Sequence, residues 1–383
     1  MRVNSSADPV VELTSKLVAF NSVSDRSNVE IAAFIDDRLQ SLGFAVESIA
    51  YRDAAGIEKV NLVAKRGAGE RGLAYFAHND VVPVDNWDCP ATSDPFHAVV
   101  HDGKLYGRGG CDMKGSLAAM LRAAARVDAT RQKSPLWIVV TADEEVGFRG
   151  AKEVVARSEF FQTMLRQQPV GLIGEPTLMR VVHAHKGIYG CRITSRGKAG
   201  HSSTRDGVNA VLPMIPMLKE LHAIYEQTES DAALQDKRFD PPTLSWNIGL
   251  ADGGSAINVT PARCQAWVSW RTMPEIDAAQ LISRVQRRAE QLGLSMERLE
   301  GCDPMWVDPK SSFVQEMVRL TGTTKPETVC YGTDGGVFGG LRQMVVCGPG
   351  DIAQAHTVDE WIDLRQLDLG VQIYQSAIER WCC

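Results

Sequence analysis

The chain has 383 residues, 44% of them hydrophobic and 23% charged, which is enough apolar surface for a packed core and excludes a disordered tail or a disulfide miniprotein. Forty-one basic against 47 acidic residues leave a net charge of −6, which argues against a nucleic-acid partner bound by phosphate neutralisation. The longest apolar runs, such as LWIVV at 136–140, are strand-sized and far short of the ~20 residues that span a bilayer, so no membrane partner is expected.

The length predicts two or three domains, or one large domain carrying an insertion. Apolar spacing predicts helices over 8–19, with Asp8 and Pro9 as N-cap and first helical residue, and over 27–42. The opening stretch lacks a basic segment followed by an apolar one, so no secretory signal is read there. Strands are predicted at 60–65, 73–77 and 136–141, with an Ala- and Leu-rich helix at 115–127. Strands alternating with helices argue for an α/β layer architecture.

The character changes near 186. Segments 188–196 and 262–271 alternate like half-exposed antiparallel strands, and 206–226 and 275–293 read as amphipathic helices, the first with Met214 and Met217 on its apolar face. This predicts an α+β insertion over 186–297, with a polar loop at 227–243. After 300 come a helix (311–321), a Gly-rich segment (332–340), a short strand (343–347) and a last helix (365–381). The nine cysteines are scattered, odd in number and without a C-x-x-C pair. That argues against a disulfide framework and a thiolate zinc site, and fits a reducing cytoplasm.

Five short stretches carry the chemistry. His78-Asn79-Asp80 follows a strand, where alternation puts His78 and Asp80 on one side and lets the carboxylate orient the ring. Alone, it reads as a surface histidine beside a turn. GRGGCDMKG (107–115) is a tight glycine loop ahead of a helix; it is no phosphate cradle, and Asp112 alone reads as an N-cap. TADEEVG (141–147) puts three acids at the carboxyl end of a buried strand, where open α/β sheets bind ligands. Of adjacent glutamates, one can hold a cation while the other stays free as a base. Glu175 sits in IGEPT, and His356 follows a Gly-Pro-Gly turn in AQAHTVDEW, which is not the helical H-E-x-x-H arrangement. His78, Asp112, Glu145, Glu175 and His356 together suit a pair of divalent ions with one carboxylate bridging. The absence of thiolates favours a hydrolytic zinc-type site. His183 and His185, in HAH, read instead as edge histidines.

In this order HNDVVPVDNW, DGKLYGRGGCDMKG, TADEEVGFRGA, GEPT, HKGIYG, GKAGHSS and QAH with a following DE resemble the M20 metallopeptidase family over roughly 10–380. The resemblance implies a zinc-peptidase-like α/β catalytic domain (1–185 and 298–383) with an inserted α+β lid and dimerisation domain (186–297). It implies that Asp112 bridges two divalent ions, zinc or else cobalt. His78 and Glu175 would complete one site and Glu145 and His356 the other, with Glu144 as general base and Asp80 orienting His78. A cis Asp112–Met113 peptide is expected. His201 is expected to reach the active site of the partner in a homodimer and to hold the oxyanion, and Asn258 and Arg271 to bind the substrate α-carboxylate. Without the resemblance those three read as a loop histidine, a turn residue and a strand-end ion pair. Asp334 replaces a Glu common in related sequences and is expected near the substrate side chain.

HAHKGIYG, GHSSTRDGVNA and CGPGDIAQAHTVDEW are most similar to the branch that deacetylates N-acetylornithine. The reading is therefore a cytoplasmic amide hydrolase of arginine biosynthesis, acting on a small N-acyl amino acid through a water activated by two metals and Glu144. Alternatives are an N-acetylcitrulline deacetylase, a succinyl-diaminopimelate desuccinylase, an M20 dipeptidase or carboxypeptidase and, from another class, a catalytically silent binding protein.

Overall fold

The computed structural model describes residues 9–383, so Asp8, the expected N-cap, lies outside the described residues. Two compact units form. The first takes the chain up to Ala184, Trp306–Glu327 and Thr333–Cys383; the second takes His185–Met305 and Thr328–Gly332. The fold is mixed α/β.

Six strands of the first unit's large sheet run in the order Ala45–Arg52, Glu58–Arg66, Leu136–Thr141, Leu73–His78, Val170–Pro176, Met344–Gly348. The first two strands pair antiparallel, and Glu58–Arg66 is antiparallel to Leu136–Thr141; the last four strands are mutually parallel. Every residue of Leu73–His78 and Leu136–Thr141 is buried. Layers cover both faces, which is why these strands read as continuous apolar runs instead of alternating.

On one face Tyr75, Ile138, Leu172 and Cys347 join a core with the helices Lys114–Arg126 and Leu364–Cys382. A buried hydrogen-bond chain ties these layers: Tyr75 Oη to Ser116 Oγ (2.8 Å), Ser116 Oγ to Tyr374 Oη (2.9 Å), and Tyr374 Oη to the Cys347 carbonyl (2.9 Å). Gly174 makes that crossing possible, because a Cβ there would lie 2.1 Å from Tyr75 Oη and 2.5 Å from Ser116 Oγ. On the other face Phe76 packs on Phe338, and Trp137 on Phe160.

The second unit is an antiparallel sheet ordered Asn247–Ala251, Arg263–Trp270, Ile188–Arg196, Ser295–Cys302, with the helices Val211–Ser230 and Ala279–Gln291. It runs past 297 to Met305 because Ser295–Cys302 is its fourth strand. The long helix also reaches four residues beyond 226. Its polar end is held by Arg284, whose Nη1 donates to Gln227 Oε1 (2.6 Å), and by burial of Thr228. Met214 and Met217 are packed in this unit. No helix among the described residues is long and apolar enough to cross a membrane.

Candidate metal centre

The four parallel strands deliver their carboxyl ends side by side, and each carries chemistry. His78 ends one strand, Glu144 and Glu145 follow Thr141, Glu175 lies near the end of Val170–Pro176, and His356 follows Met344–Gly348. Strand register aligns His78 with Thr141. Asp112 comes from the glycine loop ahead of Lys114–Arg126, and the Asp112–Met113 peptide is cis.

Asp112 stands between the two imidazoles. Its Oδ1 is 3.2 Å from His78 Nε2 and its Oδ2 is 3.4 Å from His356 Nε2. Glu175 Oε1 is 3.7 Å from His78 Nε2, and Glu145 Oε2 is 3.0 Å from His356 Nε2. Two clusters thus share one carboxylate: His78, Glu175 and Asp112; His356, Glu145 and Asp112. Ligand atoms of His78, Asp112 and Glu145 also lie within 4.8 Å of one another. Asp112 does not cap its helix, whose N-cap is Met113 with no side-chain bond.

The ring of His78 is held from behind. Its Nδ1 lies 2.9 Å from the Asp80 carbonyl, which can only accept, so Nδ1 donates and Nε2 is turned inward. The Asp80 carboxylate is farther, at 3.5 Å, and has other work. It accepts from the backbone N–H of Glu144 (3.2 Å) and of Glu145 (3.3 Å), and from Ser24 Oγ (2.7 Å).

Charge tests the fit to cations. Asp80, Asp112, Glu144, Glu145 and Glu175 are five buried carboxylates around two imidazoles. Burial pushes Glu144 well above the ordinary range; His78 draws it back, and Glu175 and Glu145 push it up again. Burial and the neighbouring Asp112 likewise raise Glu175 and Glu145. Burial works against Asp112 too, but hydrogen bonds to His356 and His78 hold it low. His78 is disfavoured as a cation by burial, yet Asp112, Asp80 and Glu175 keep its pKa well above normal. A donor set of nitrogen and oxygen with this excess of negative charge suits two divalent cations.

The turn bearing Glu144 is fastened by residues given no role from sequence. Ala142 N–H donates to Asn61 Oδ1 (2.9 Å). Asp143, in left-handed backbone at φ 57°, pairs through Oδ1 with Lys59 Nζ (2.8 Å) and accepts at Oδ2 from Tyr51 (2.7 Å). Lys59 also donates to the carbonyls of Ser24 and Arg26. The signal was present as two polar residues, Lys59 and Asn61, alternating with Val63 on one buried strand face. Glu360, quoted only as a motif letter, is also buried and is bonded to the Asp112 loop.

Asp334 is buried; its Oδ2 accepts from Thr141 Oγ1 (2.5 Å), and burial pushes it up to about 7. On the second unit His201 is exposed, its Nδ1 accepting from Ser203 Oγ (2.7 Å). Asn258 is exposed in the adjoining loop, its backbone carbonyl accepting from Ser202 N–H (3.0 Å). These loops flank a recess of about 490 Å³ lined by Ser202, Thr204, Asn209 and Thr260. Arg271 follows the strand Arg263–Trp270, its N–H donating to the Leu244 carbonyl (2.6 Å). His183 and His185 are not edge histidines. Both are buried, with Nδ1 on the carbonyls of Val307 (2.8 Å) and Lys186 (2.9 Å) respectively.

The sequence model of peptidase family M20/M25/M40 matches residues 74–380. An acetylornithine deacetylase of Myxococcus xanthus is 34% identical over 380 residues, covering 96% of each chain. Among solved structures, the di-peptidase Dug1p of Saccharomyces cerevisiae superposes with a TM-score of 0.77 at 17% identity, covering 97% of this chain and 95% of that one. The M20 family metallo-carboxypeptidase Sso-CP2 of Sulfolobus solfataricus gives 0.75 at 16%, covering 98% and 99%.

Proposed function

This chain belongs to peptidase family M20/M25/M40, and we propose that it hydrolyses the amide bond of an N-acyl amino acid, N-acetylornithine before others, releasing ornithine and acetate. Membership makes it a hydrolase of a family that uses divalent metal. One observation supports the two-ion mechanism, namely that the two oxygens of Asp112 each face a different imidazole, with Glu145 and Glu175 on either side; the choice of N-acetylornithine rests on the similarity to the acetylornithine deacetylase.

His78 and Glu175 would hold one ion, Glu145 and His356 the other, and Asp112 both. Zinc is the proposed metal, and cobalt fits the same donors. When bound, such ions supply Lewis acidity, making a water nucleophilic at neutral pH and polarising the acyl carbonyl. Glu144 takes the water's proton on its carboxylate and returns it to the leaving amine. Asp80 holds the backbone of both glutamates, so the base and its neighbour keep one geometry. For the substrate α-carboxylate the proposal takes Arg271, whose guanidinium suits bidentate pairing, and Asn258; for the oxyanion it takes His201. Their support is the match to family motifs. Asp334 is kept for the substrate side chain on the same ground.

A homodimer belongs to the proposal. Leu212 and Ile215 on the long helix of the second unit are 62% and 56% exposed, and Leu250, on the sheet's edge strand Asn247–Ala251, is 49% exposed. Nine free thiols support a reducing cytoplasm as the compartment. Arginine biosynthesis is the pathway that consumes the proposed product.

Glu144→Gln tests the mechanism. Turnover of N-acetylornithine should fall by ~10²–10⁴-fold, the range a general base contributes, with metal content unchanged. Near-normal turnover at normal metal content would remove Glu144 from the base role.

A further inference from the structure

We propose that Glu360 is a positioning residue that locks the Asp112 loop to the His356 turn; the inference rests on the two-ion reading above. Glu360 is 1% exposed and ligates nothing in that reading. Its Oε1 accepts from the backbone N–H of Cys111 (2.8 Å) and Asp112 (3.0 Å). Its Oε2 accepts from Gly109 N–H (3.0 Å) and from Arg108 Nη1 (2.8 Å). Its own carbonyl accepts from Gly107 N–H (3.0 Å). One carboxylate thus fills a nest of three backbone donors, a geometry that selects a charged anion over a neutral amide.

The other end of the link is Arg108, also buried, whose Nη2 donates to the Thr357 carbonyl (2.9 Å). Thr357 follows His356, whose backbone sits in the left-handed region at φ 62°. The strand pairing of Trp361 with Tyr106 sets the register that brings the two segments together. Glu360 therefore holds the backbone of the shared ligand directly and the turn of the His356 ligand through Arg108. The cluster of Asp112, Glu145 and His356 depends on it at two ligands; the cluster of His78, Glu175 and Asp112 at one.

The test is calorimetric titration of metal-free protein with Co²⁺, alongside the visible absorption of the bound ion and a circular-dichroism melt. Wild type should take two equivalents. Glu360→Gln keeps the size but turns an amide N–H₂ toward backbone or guanidinium donors. It should fold and bind the weaker equivalent ~10–100-fold less tightly, the usual cost of losing a group that orients a ligand, with a smaller loss at the other. Arg108→Met leaves the three backbone bonds and cuts the Thr357 link, so it should weaken one equivalent only. Wild-type affinity for both equivalents in either folded variant overturns the proposal. So does failure of both variants to fold, which would make the pair a staple of the fold. Fewer than two equivalents in wild type would instead sink the two-ion reading.

Discussion

In the proposed two-ion centre a proton on His356 would compete with an ion, and this sets the sign of its pH dependence. Hydrogen bonds to Asp112 and Glu145 raise His356 from 6.5 to about 10 in the metal-free protein. A ring raised in this way stabilises the metal-free fold fully below 6.5 and loses that contribution as pH rises through about 10. The ring is half exposed, so solvent screens the size of the effect and the sign is the usable part. Metal uptake runs the other way. Apparent affinity should rise with pH by about tenfold per unit for each proton displaced, levelling near the His356 value. Calorimetry in buffers of different ionisation enthalpy reads the proton release directly; uptake independent of pH from 6 to 9 would contradict it. At this scale the five residues proposed as ligands stand out in the sequence because each follows a strand or sits in a glycine turn. Glu360 does not, because nothing local separates a buried charge from a solvated one. Glu360 meets Arg108 across 252 residues of sequence.

Four parallel strands place their ends in one line, and the edge elements then fix the turns that leave them. Strands 73–77 and 136–141 were readable from continuous apolar runs. Ala45–Arg52 was not, since it pairs on one side only and mixes exposed with buried positions. The helices Arg149–Arg157 and Glu159–Gln167 escaped for a related reason: each is nine residues, too short for a clear period. Yet Ala45–Arg52 and its neighbour supply Tyr51, Lys59 and Asn61, the anchors of the Glu144 turn. Lys59→Met would leave the Asp143 carboxylate buried without its counter-charge, with Tyr51 still donating to it. Breaking one partner of such a pair costs ~3–5 kcal/mol, so urea unfolding should lose about that much stability. A loss below ~1 kcal/mol would mean that the pair is not the anchor described.

At the scale of the whole molecule, the change near 186 from buried runs to alternating strands was legible as a second unit. Its far end was not: half of Ser295–Cys302 is exposed, with Glu297, Arg298 and Glu300 among those residues, and Thr328–Gly332 returns to that unit from a distant part of the chain. The homodimer in the proposed function would cover the exposed Leu212 and Ile215, and sedimentation at a single-chain mass would remove it. The most direct measurement is release of ornithine from N-acetylornithine by the zinc- or cobalt-loaded chain, with N-acetylcitrulline, N-succinyl-diaminopimelate and a dipeptide alongside. The predicted result is turnover that favours the ornithine compound, stops on chelation and returns with metal. No hydrolysis of any N-acyl amino acid by protein that carries two ions would contradict the proposed function.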